Sequence, residues 1–135
     1  MHPIKGGVAG LNYSSKVVYG LFDGSSAEIP ATSFPSYIDA RDLADAHVKA
    51  LTEPKVANKR LNIGGLKMTY TDMVHALAKL PELEGRLPRE SGEDKNVTPA
   101  RVVADEANEA LNMKYRSLEE TMADTARRIL ELEKA

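Results

Sequence analysis

Segments that favour β-strands are few and short, and this feature limits the fold more than any other. The strand candidates are residues 37–40, residues 60–63 and residues 102–103. Strands of only a few residues do not make a sheet that is stable by itself. The chain has 135 residues, which is enough for one domain with its own core. The sequence therefore predicts one mixed α/β domain in which helices dominate and the sheet is incomplete.

Apolar residues at helical spacing account for most of the rest of the chain. In residues 11–23 the apolar set is Val17, Val18, Leu21 and Phe22. Three later helices are expected to begin at the capping residues Thr69, Asp105 and Ser117. Glu120 stands three residues after Ser117, as in a capping box, and the apolar stripe that follows is Leu118, Met122, Thr125, Ile129 and Leu132.

Another helix is expected between the strand at residues 37–40 and Pro54, which ends it. One face of this helix is apolar and consists of Leu43, Ala44, His47, Ala50 and Leu51. A face of this kind is normally buried against neighbouring structure. His47 is therefore expected to be a core or interface histidine that makes one hydrogen bond.

Composition excludes several classes of function. A net charge of −2 gives no electrostatic reason to expect nucleic acid or an anionic membrane as a partner. No apolar run approaches the ~20 residues of a membrane helix, and residues 1–7 lack the apolar core of a signal peptide. The chain has no cysteine, which excludes disulfides and thiolate chemistry and suits the cytoplasm.

Neither of the motifs expected of a nicotinamide-dependent reductase is present. Nine glycines occur, but they form no G-x-G-x-x-G turn that would bind a pyrophosphate. Gly64 and Gly65 follow a predicted strand and precede a helix, a position that could superficially bind a phosphate. An ordinary strand-to-helix turn is the expected interpretation. Such a reductase also needs a Tyr and, four residues later on the next helical turn, a Lys that lowers the pKa of the Tyr. Tyr13 and Lys16 are only three residues apart.

The remaining titratable residues allow two interpretations. Asp39 and Asp42 flank Arg41, either as an acid/base pair or, as we expect, as helix caps that pair with Arg41. The three histidines share no metal-ligand spacing, so no metal site is predicted.

Residues 37–47, with the sequence YIDARDLADAH, resemble a segment of extended short-chain dehydrogenase/reductases. The family pattern there is an aromatic or aliphatic residue followed by Asp-Val-Arg-Asp-Val-Ala-x-Ala-His. Within the NAD-dependent epimerase/dehydratase superfamily, the chain is most similar to fungal NADPH-dependent methylglyoxal or carbonyl reductases and dihydroflavonol 4-reductase-like proteins. Residues 11–15, 60–63 and 111–121 resemble that group's Leu-Asn-Thr-Ser helix start, Gln-Arg-Leu-Ile strand and C-terminal tail, in the same order.

The resemblance implies a partial Rossmann-type α/β fold. Residues 1–135 would form one domain, the C-terminal substrate lobe, with short strands and four to five helices and without the nucleotide-binding half. The family's cofactor is NADPH, but no cofactor is expected to bind this chain alone. No catalytic residue is assigned. By the resemblance, Asn12, Tyr13 and Ser15 border the substrate side of the cleft and are the predicted substrate contacts; surface or capping roles are the alternative.

Three functions remain open from the sequence. The first is a truncated ketone or aldehyde reductase that is not a reductase by itself, with a small carbonyl compound as substrate. The second is a cofactor-independent isomerase or cyclase that uses Asp39 or His47. The third is a non-catalytic module that docks on a full-length homologue. Because the resemblance leaves apolar helix faces without the family's large sheet, we expect self-association, a bound partner or marginal stability.

Overall fold

The computed structural model describes residues 6–90, 97 and 102–134. In this part of the chain the five α-helices are α1 (Tyr13–Gly20), α2 (Ala40–Ala50), α3 (Tyr70–Leu77), α4 (Asp105–Ala110) and α5 (Leu118–Glu133). Two strands, β1 (Ser36–Tyr37) and β2 (Leu66–Lys67), pair antiparallel, Ser36 opposite Lys67 and Tyr37 opposite Leu66. Short 3₁₀ turns occupy Gly7–Gly10, Pro54–Val56 and Pro81–Leu83. The predicted dominance of helices and the count of four to five are confirmed.

The main core forms between α1, α3 and α5. The predicted stripe of the first helix is confirmed, because Val18, Leu21 and Phe22 are buried and Val17 packs against them. From α5, Met122, Ala126, Ile129 and Leu132 enter the same core. Leu118 and Thr125, which the helical spacing also selected, are only half-buried.

A second, smaller apolar cluster lies between α2, the turn at Pro54–Val56 and α4. Its buried members are Ala46, Val56 and Leu111. Leu61 and Ile63 pack against it from the loop that precedes β2. Ala46 is the buried residue that α2 contributes to this cluster. Apolar burial within the described residues therefore stabilises the position of α2 only weakly.

Local capping signals were the most accurate predictions. Thr69 and Asp72 form the reciprocal capping box at the start of α3, and Ser117 accepts a hydrogen bond from the Glu120 N–H at the start of α5. Asp105 was wrong as a cap, because Ala104 occupies the N-cap position and Asp105 is the first helical residue. Its carboxylate still lies at the positive end of the helix dipole.

The predicted strand positions need correction. Residues 60–63 do not form a strand; the pairing strand is β2, after a reversal at Gly64 and Gly65, where φ is +83° and +73°. Residues 102–103 are not a strand either, and the Val103 carbonyl accepts a hydrogen bond from the Asn62 amide instead of a strand partner. The strand predicted at 37–40 is Ser36–Tyr37, because Asp39 already caps α2.

The prediction that α2 buries its apolar face was wrong. Leu43, Val48 and Leu51 are 37%, 66% and 85% exposed, and His47 is exposed as well. The helix packs through its opposite side, where Asp42 and Ala46 are buried. The Asp42 carboxylate faces the protein interior because its ion-pair partner, Arg116, lies on that side of the helix.

Among the described residues, no helix combines the length and the apolar character needed to span a bilayer.

Candidate functional site

The first turn of α1 brings together the three residues predicted to contact substrate. Asn12 is the N-cap, and its side-chain oxygen accepts a hydrogen bond of 2.9 Å from the Ser15 N–H. Tyr13 is 69% exposed, and Ser15 is half-buried. Asn12 thus has the capping role given as its alternative, while the Tyr13 ring is displayed on the surface.

The strongest electrostatic cluster lies at the start of α2. Asp39 Oδ1 accepts hydrogen bonds from the Arg41 N–H and Nε, at 2.8 and 3.0 Å. Its Oδ2 accepts from Arg41 Nη2 at 2.7 Å and from the Thr121 hydroxyl at 2.9 Å. These bonds, above all those from the Arg41 side chain, hold the pKa of Asp39 far below its ordinary range. Asp39 is therefore an ionised helix cap paired with Arg41, as predicted.

Arg41 also ties α2 to α5. Its Nη1 donates a hydrogen bond to Asp124 Oδ2 at 2.7 Å, while its Nη2 donates to Asp39 Oδ2. Hydrogen bonds to these two carboxylates raise the pKa of Arg41. One guanidinium thus bridges the first turn of α2 and the first half of α5.

Asp42 has a different partner from the one predicted. Its side chain is 1% exposed; Oδ2 accepts from the Arg116 N–H at 2.8 Å, and Oδ1 pairs with the Arg116 guanidinium. Arg116 in turn reaches Glu120 Oε1 at 3.3 Å. The expected pairing of Asp42 with Arg41 was wrong, because Arg41 points to α5 and Arg116 approaches Asp42 from the segment before α5.

These contacts do not favour acid/base chemistry at Asp39 or Asp42. A general acid or base needs a free lone pair or proton near a reacting atom, and both carboxylates are occupied by arginine donors. The exposed His47 has its Nδ1 2.7 Å from the Leu43 carbonyl oxygen of its own helix. Within the described residues, no group of three or more acidic or histidine side chains is arranged to hold a metal ion.

The described part of the chain contains at least two open clefts, and neither is lined by residues from the start of α1 or of α2. One, of about 420 Å³, lies along the stretch from Ala78 to Leu87. The other, of about 380 Å³, is lined by Lys55, Lys59, Glu106, Glu109 and Ala110. Asn12, Tyr13 and Ser15 line neither of these two clefts.

The turn at Gly64 and Gly65 does not fit a dinucleotide phosphate. The Gly64 N–H donates to the Tyr115 hydroxyl at 3.2 Å, and that hydroxyl donates to Asn108. A Cβ on Gly64 would lie 2.8 Å from the Ile38 side chain, so the glycine is needed for close packing. The space and the donor that a phosphate would use are both taken by protein groups, which agrees with the expected ordinary turn.

Sequence reasoning missed Arg116, Thr121, Asp124 and Tyr115. The first three anchor the start of α2, and Tyr115 anchors the glycine turn. The pairings that these residues make with the start of α2 and with Gly64 join positions more than fifty residues apart. No local spacing could have indicated these pairings.

Removing the charge of Asp39 is expected to destabilise the chain in a pH-dependent way. Asp39→Asn keeps a competent N-cap but loses the charge-assisted hydrogen bonds, which lowers the free energy of unfolding by about 2 kcal/mol near neutral pH. Since folding depresses this pKa, the contribution of the carboxylate is complete above its unfolded pKa of about 3.9 and is lost as the pH falls further.

Urea unfolding of both proteins across that pH range measures the effect. The difference between them should be constant above about pH 5 and should shrink below about pH 4. Asp124→Asn, at the more exposed end of the same network, is the control and should cost about 0.5 kcal/mol. A difference for Asp39→Asn that grows on acidification would contradict the assignment.

Comparison with known proteins gives the same family from sequence and from structure. No family model matches the chain. The NADPH-dependent methylglyoxal reductase GRE2 of Saccharomyces cerevisiae is 32% identical over 127 residues, which cover 91% of this chain and 37% of that protein. The crystal structure of Gre2 from Candida albicans in complex with NADPH has a TM-score of 0.76 and 29% identity, over 90% of this chain and 37% of that one.

Yeast methylglyoxal/isovaleraldehyde reductase Gre2, complexed with NADPH, matches with a TM-score of 0.73 and 28% identity, over 92% of this chain and 42% of that one. The chain thus spans 37% to 42% of the length of these three relatives. The resemblance seen at residues 37–47 extends over nearly the whole chain, in sequence and in backbone. The chain belongs to the extended short-chain dehydrogenase/reductases and corresponds to the C-terminal part of their Rossmann-type fold.

Proposed function

We propose that this chain supplies the substrate-side part of an NADPH-dependent carbonyl reductase, and that reduction requires the nucleotide-binding part of the same fold. The observation that carries the proposal is the match to a methylglyoxal reductase over 91% of the chain. The similar backbone of a related enzyme in complex with NADPH supports it. The cysteine-free composition agrees with a cytoplasmic location, which stays a prediction.

The substrate in this proposal is a small aldehyde or ketone that contacts the first turn of α1. Tyr13 offers an exposed ring for apolar contact and a hydroxyl for a hydrogen bond. The hydrogen bond that the Ser15 N–H donates to the Asn12 side-chain oxygen fixes that turn. NADPH would supply the hydride when bound by the other part of the fold, while Asn12, Tyr13 and Ser15 would bind and orient the carbonyl compound.

The chain alone is expected not to bind NADPH. The turn at Gly64 and Gly65 is not open to a pyrophosphate, since the Gly64 N–H donates to the Tyr115 hydroxyl. Titration of NADPH fluorescence with the purified chain should give no saturable change. Candida albicans Gre2 is the positive control in the same assay. Saturable binding with micromolar affinity would contradict this expectation.

The proposed activity is tested in a chimera in which this chain replaces the corresponding C-terminal part of Candida albicans Gre2. We expect oxidation of NADPH that depends on methylglyoxal or isovaleraldehyde. Tyr13→Ala should raise the KM for the aldehyde about tenfold, the effect of losing about 1.4 kcal/mol of binding, and should leave the Kd for NADPH unchanged.

Phe34→Ala is the matched control, because Phe34 is an aromatic residue of similar exposure outside α1. It should leave both constants unchanged. Tyr13→Phe separates the ring from the hydroxyl. A folded chimera that binds NADPH but shows no aldehyde-dependent oxidation would contradict the proposed function.

A further inference from the structure

The arginines among the described residues differ in how many of their side-chain nitrogens already have a partner. All three nitrogens of Arg41 donate to carboxylates, Nε and Nη2 to Asp39 and Nη1 to Asp124. In Arg86, Nε donates to a backbone carbonyl and both Nη atoms donate to Glu133. These bonds are between 2.6 and 3.0 Å long. Every side-chain nitrogen of these two arginines is therefore engaged.

Arg60 and Arg89 have exposed side chains on a backbone that neighbouring structure holds in place. The Arg89 N–H donates to the Ala27 carbonyl, and the Arg89 carbonyl accepts from the Ile29 N–H. Arg60 stands directly before Leu61, which packs against the smaller apolar cluster. Neither guanidinium forms a hydrogen bond or an ion pair with another described residue. Within the described chain, both Nη atoms of each are therefore free to meet a small reagent from solution.

An α-dicarbonyl compound condenses with a guanidine whose two terminal nitrogens are free. The guanidinium first gives one proton to water. One Nη then attacks the aldehyde carbon, the other attacks the adjacent ketone carbon, and a ring closes. Two C–N bonds form, both C=O π bonds break, and each attacking nitrogen passes one proton to the oxygen of the carbonyl that it attacked. The ring product takes a proton back from water, no group leaves, and no oxidant or reductant is needed.

The carboxylate partners also disfavour the neutral guanidine on which the attack depends. Hydrogen bonds to Asp39, followed by those to Asp124, raise the pKa of Arg41. Hydrogen bonds to Glu133 raise the pKa of Arg86. A pKa that is higher by one lowers the neutral fraction about tenfold. Arg41 and Arg86 therefore have both fewer free nitrogens and less of the neutral form.

We infer that Arg60 and Arg89 are the preferred sites, among the described arginines, of covalent modification by α-dicarbonyl compounds, and that carboxylate partners protect Arg41 and Arg86. Methylglyoxal, one of the aldehydes in the chimera assay, belongs to this class. The inference goes beyond the proposed function and does not depend on it, because the condensation needs neither NADPH nor catalysis. The arginines that are partly paired, and are expected to react at intermediate rates, are Arg116, Arg127 and Arg128.

The protected arginines are those that join α5 to other parts of the fold. Arg41 reaches α5 from α2, and Arg86 reaches it from the loop after α3. Arg60 and Arg89 make no such side-chain contact in the described chain. Modification of the free pair should therefore leave the urea midpoint of the chain unchanged.

Peptide mapping by mass spectrometry, after exposure of the 135-residue chain to methylglyoxal, measures the rate at each arginine. In the folded chain, Arg60 and Arg89 should be modified about tenfold faster than Arg41 and Arg86, or more. In concentrated urea, where the ion pairs are absent, the four rates should become similar. Equal rates in the folded chain, or no modification of Arg60 and Arg89, would overturn the inference.

Glu133→Ala tests whether the ion pair itself protects Arg86. The change frees both Nη atoms and should raise the rate at Arg86 about tenfold. Arg41 should stay protected in this variant, which shows that the chain is still folded. Glu131→Ala is the matched control, because Glu131 lies on the same helix and pairs with Arg128 instead. A rate at Arg86 that is the same in both variants would overturn the inference.

Discussion

Phe22→Ala is expected to lower the free energy of unfolding by about 4 kcal/mol, because it empties the centre of the main core. Phe22 is 0% exposed. Its ring meets that of Tyr19 edge to face, with centroids 5.5 Å apart, and the Arg86 guanidinium lies 5.7 Å above it. The substitution removes the apolar burial and both ring contacts and leaves a cavity.

Urea unfolding followed by circular dichroism measures this loss. The chain has two phenylalanines, and Phe34, which is 61% exposed, provides the same substitution at the surface. Phe34→Ala should change stability by less than about 0.5 kcal/mol. Phe22→Leu should recover most of the loss. If the two alanine variants were equally stable, Phe22 would not lie in the core described above.

Asp42→Ala is expected to cost about 3 kcal/mol, the second largest effect. The change removes a buried carboxylate that accepts from the Arg116 N–H and pairs with its guanidinium. Without it the half-buried Arg116 N–H loses its acceptor. Arg116 keeps a contact with Glu120 and is 30% exposed, so the cost is at the lower end of the range for broken buried pairs.

Asp45→Ala is the matched control, because Asp45 lies on the same helix and is exposed. It should change stability by less than about 0.5 kcal/mol. Asp42→Asn should fall between the two alanine variants, since an amide still accepts a hydrogen bond from the Arg116 N–H. An Asp42→Ala protein as stable as Asp45→Ala would refute the buried ion pair.

The features that could be predicted from the sequence are those fixed by neighbouring residues. Thr69 with Asp72, and Ser117 with the Glu120 N–H, lie within one helical turn of each other, so their capping follows from spacing alone. The buried stripe at Leu21 and Phe22 follows from helical periodicity in the same way. The family resemblance was also readable at residues 37–47 and is confirmed.

The features that could not be predicted depend on distant partners. Arg41 and Arg116 are both suitable cations for Asp42, and only the folded chain shows that Arg116 is the one that reaches it. Ile63 has the character of a strand residue, yet the reversal at Gly64 moves the pairing to Leu66. The exposure of Leu43 and Leu51 was missed because periodicity identifies an apolar face and says nothing about what covers it.

The order in which the polypeptide is synthesised limits when the contacts at the start of α2 can form. Asp42, Asp39 and Arg41 bind partners 74, 82 and 83 positions later in the chain. Ribosomes synthesise proteins from the amino terminus, so α2 emerges long before Arg116, Thr121 and Asp124 exist. A nascent chain cannot fix α2 by these contacts until residues 116–124 are translated. Until then, the helix has both its charged and its apolar sides available to chaperones.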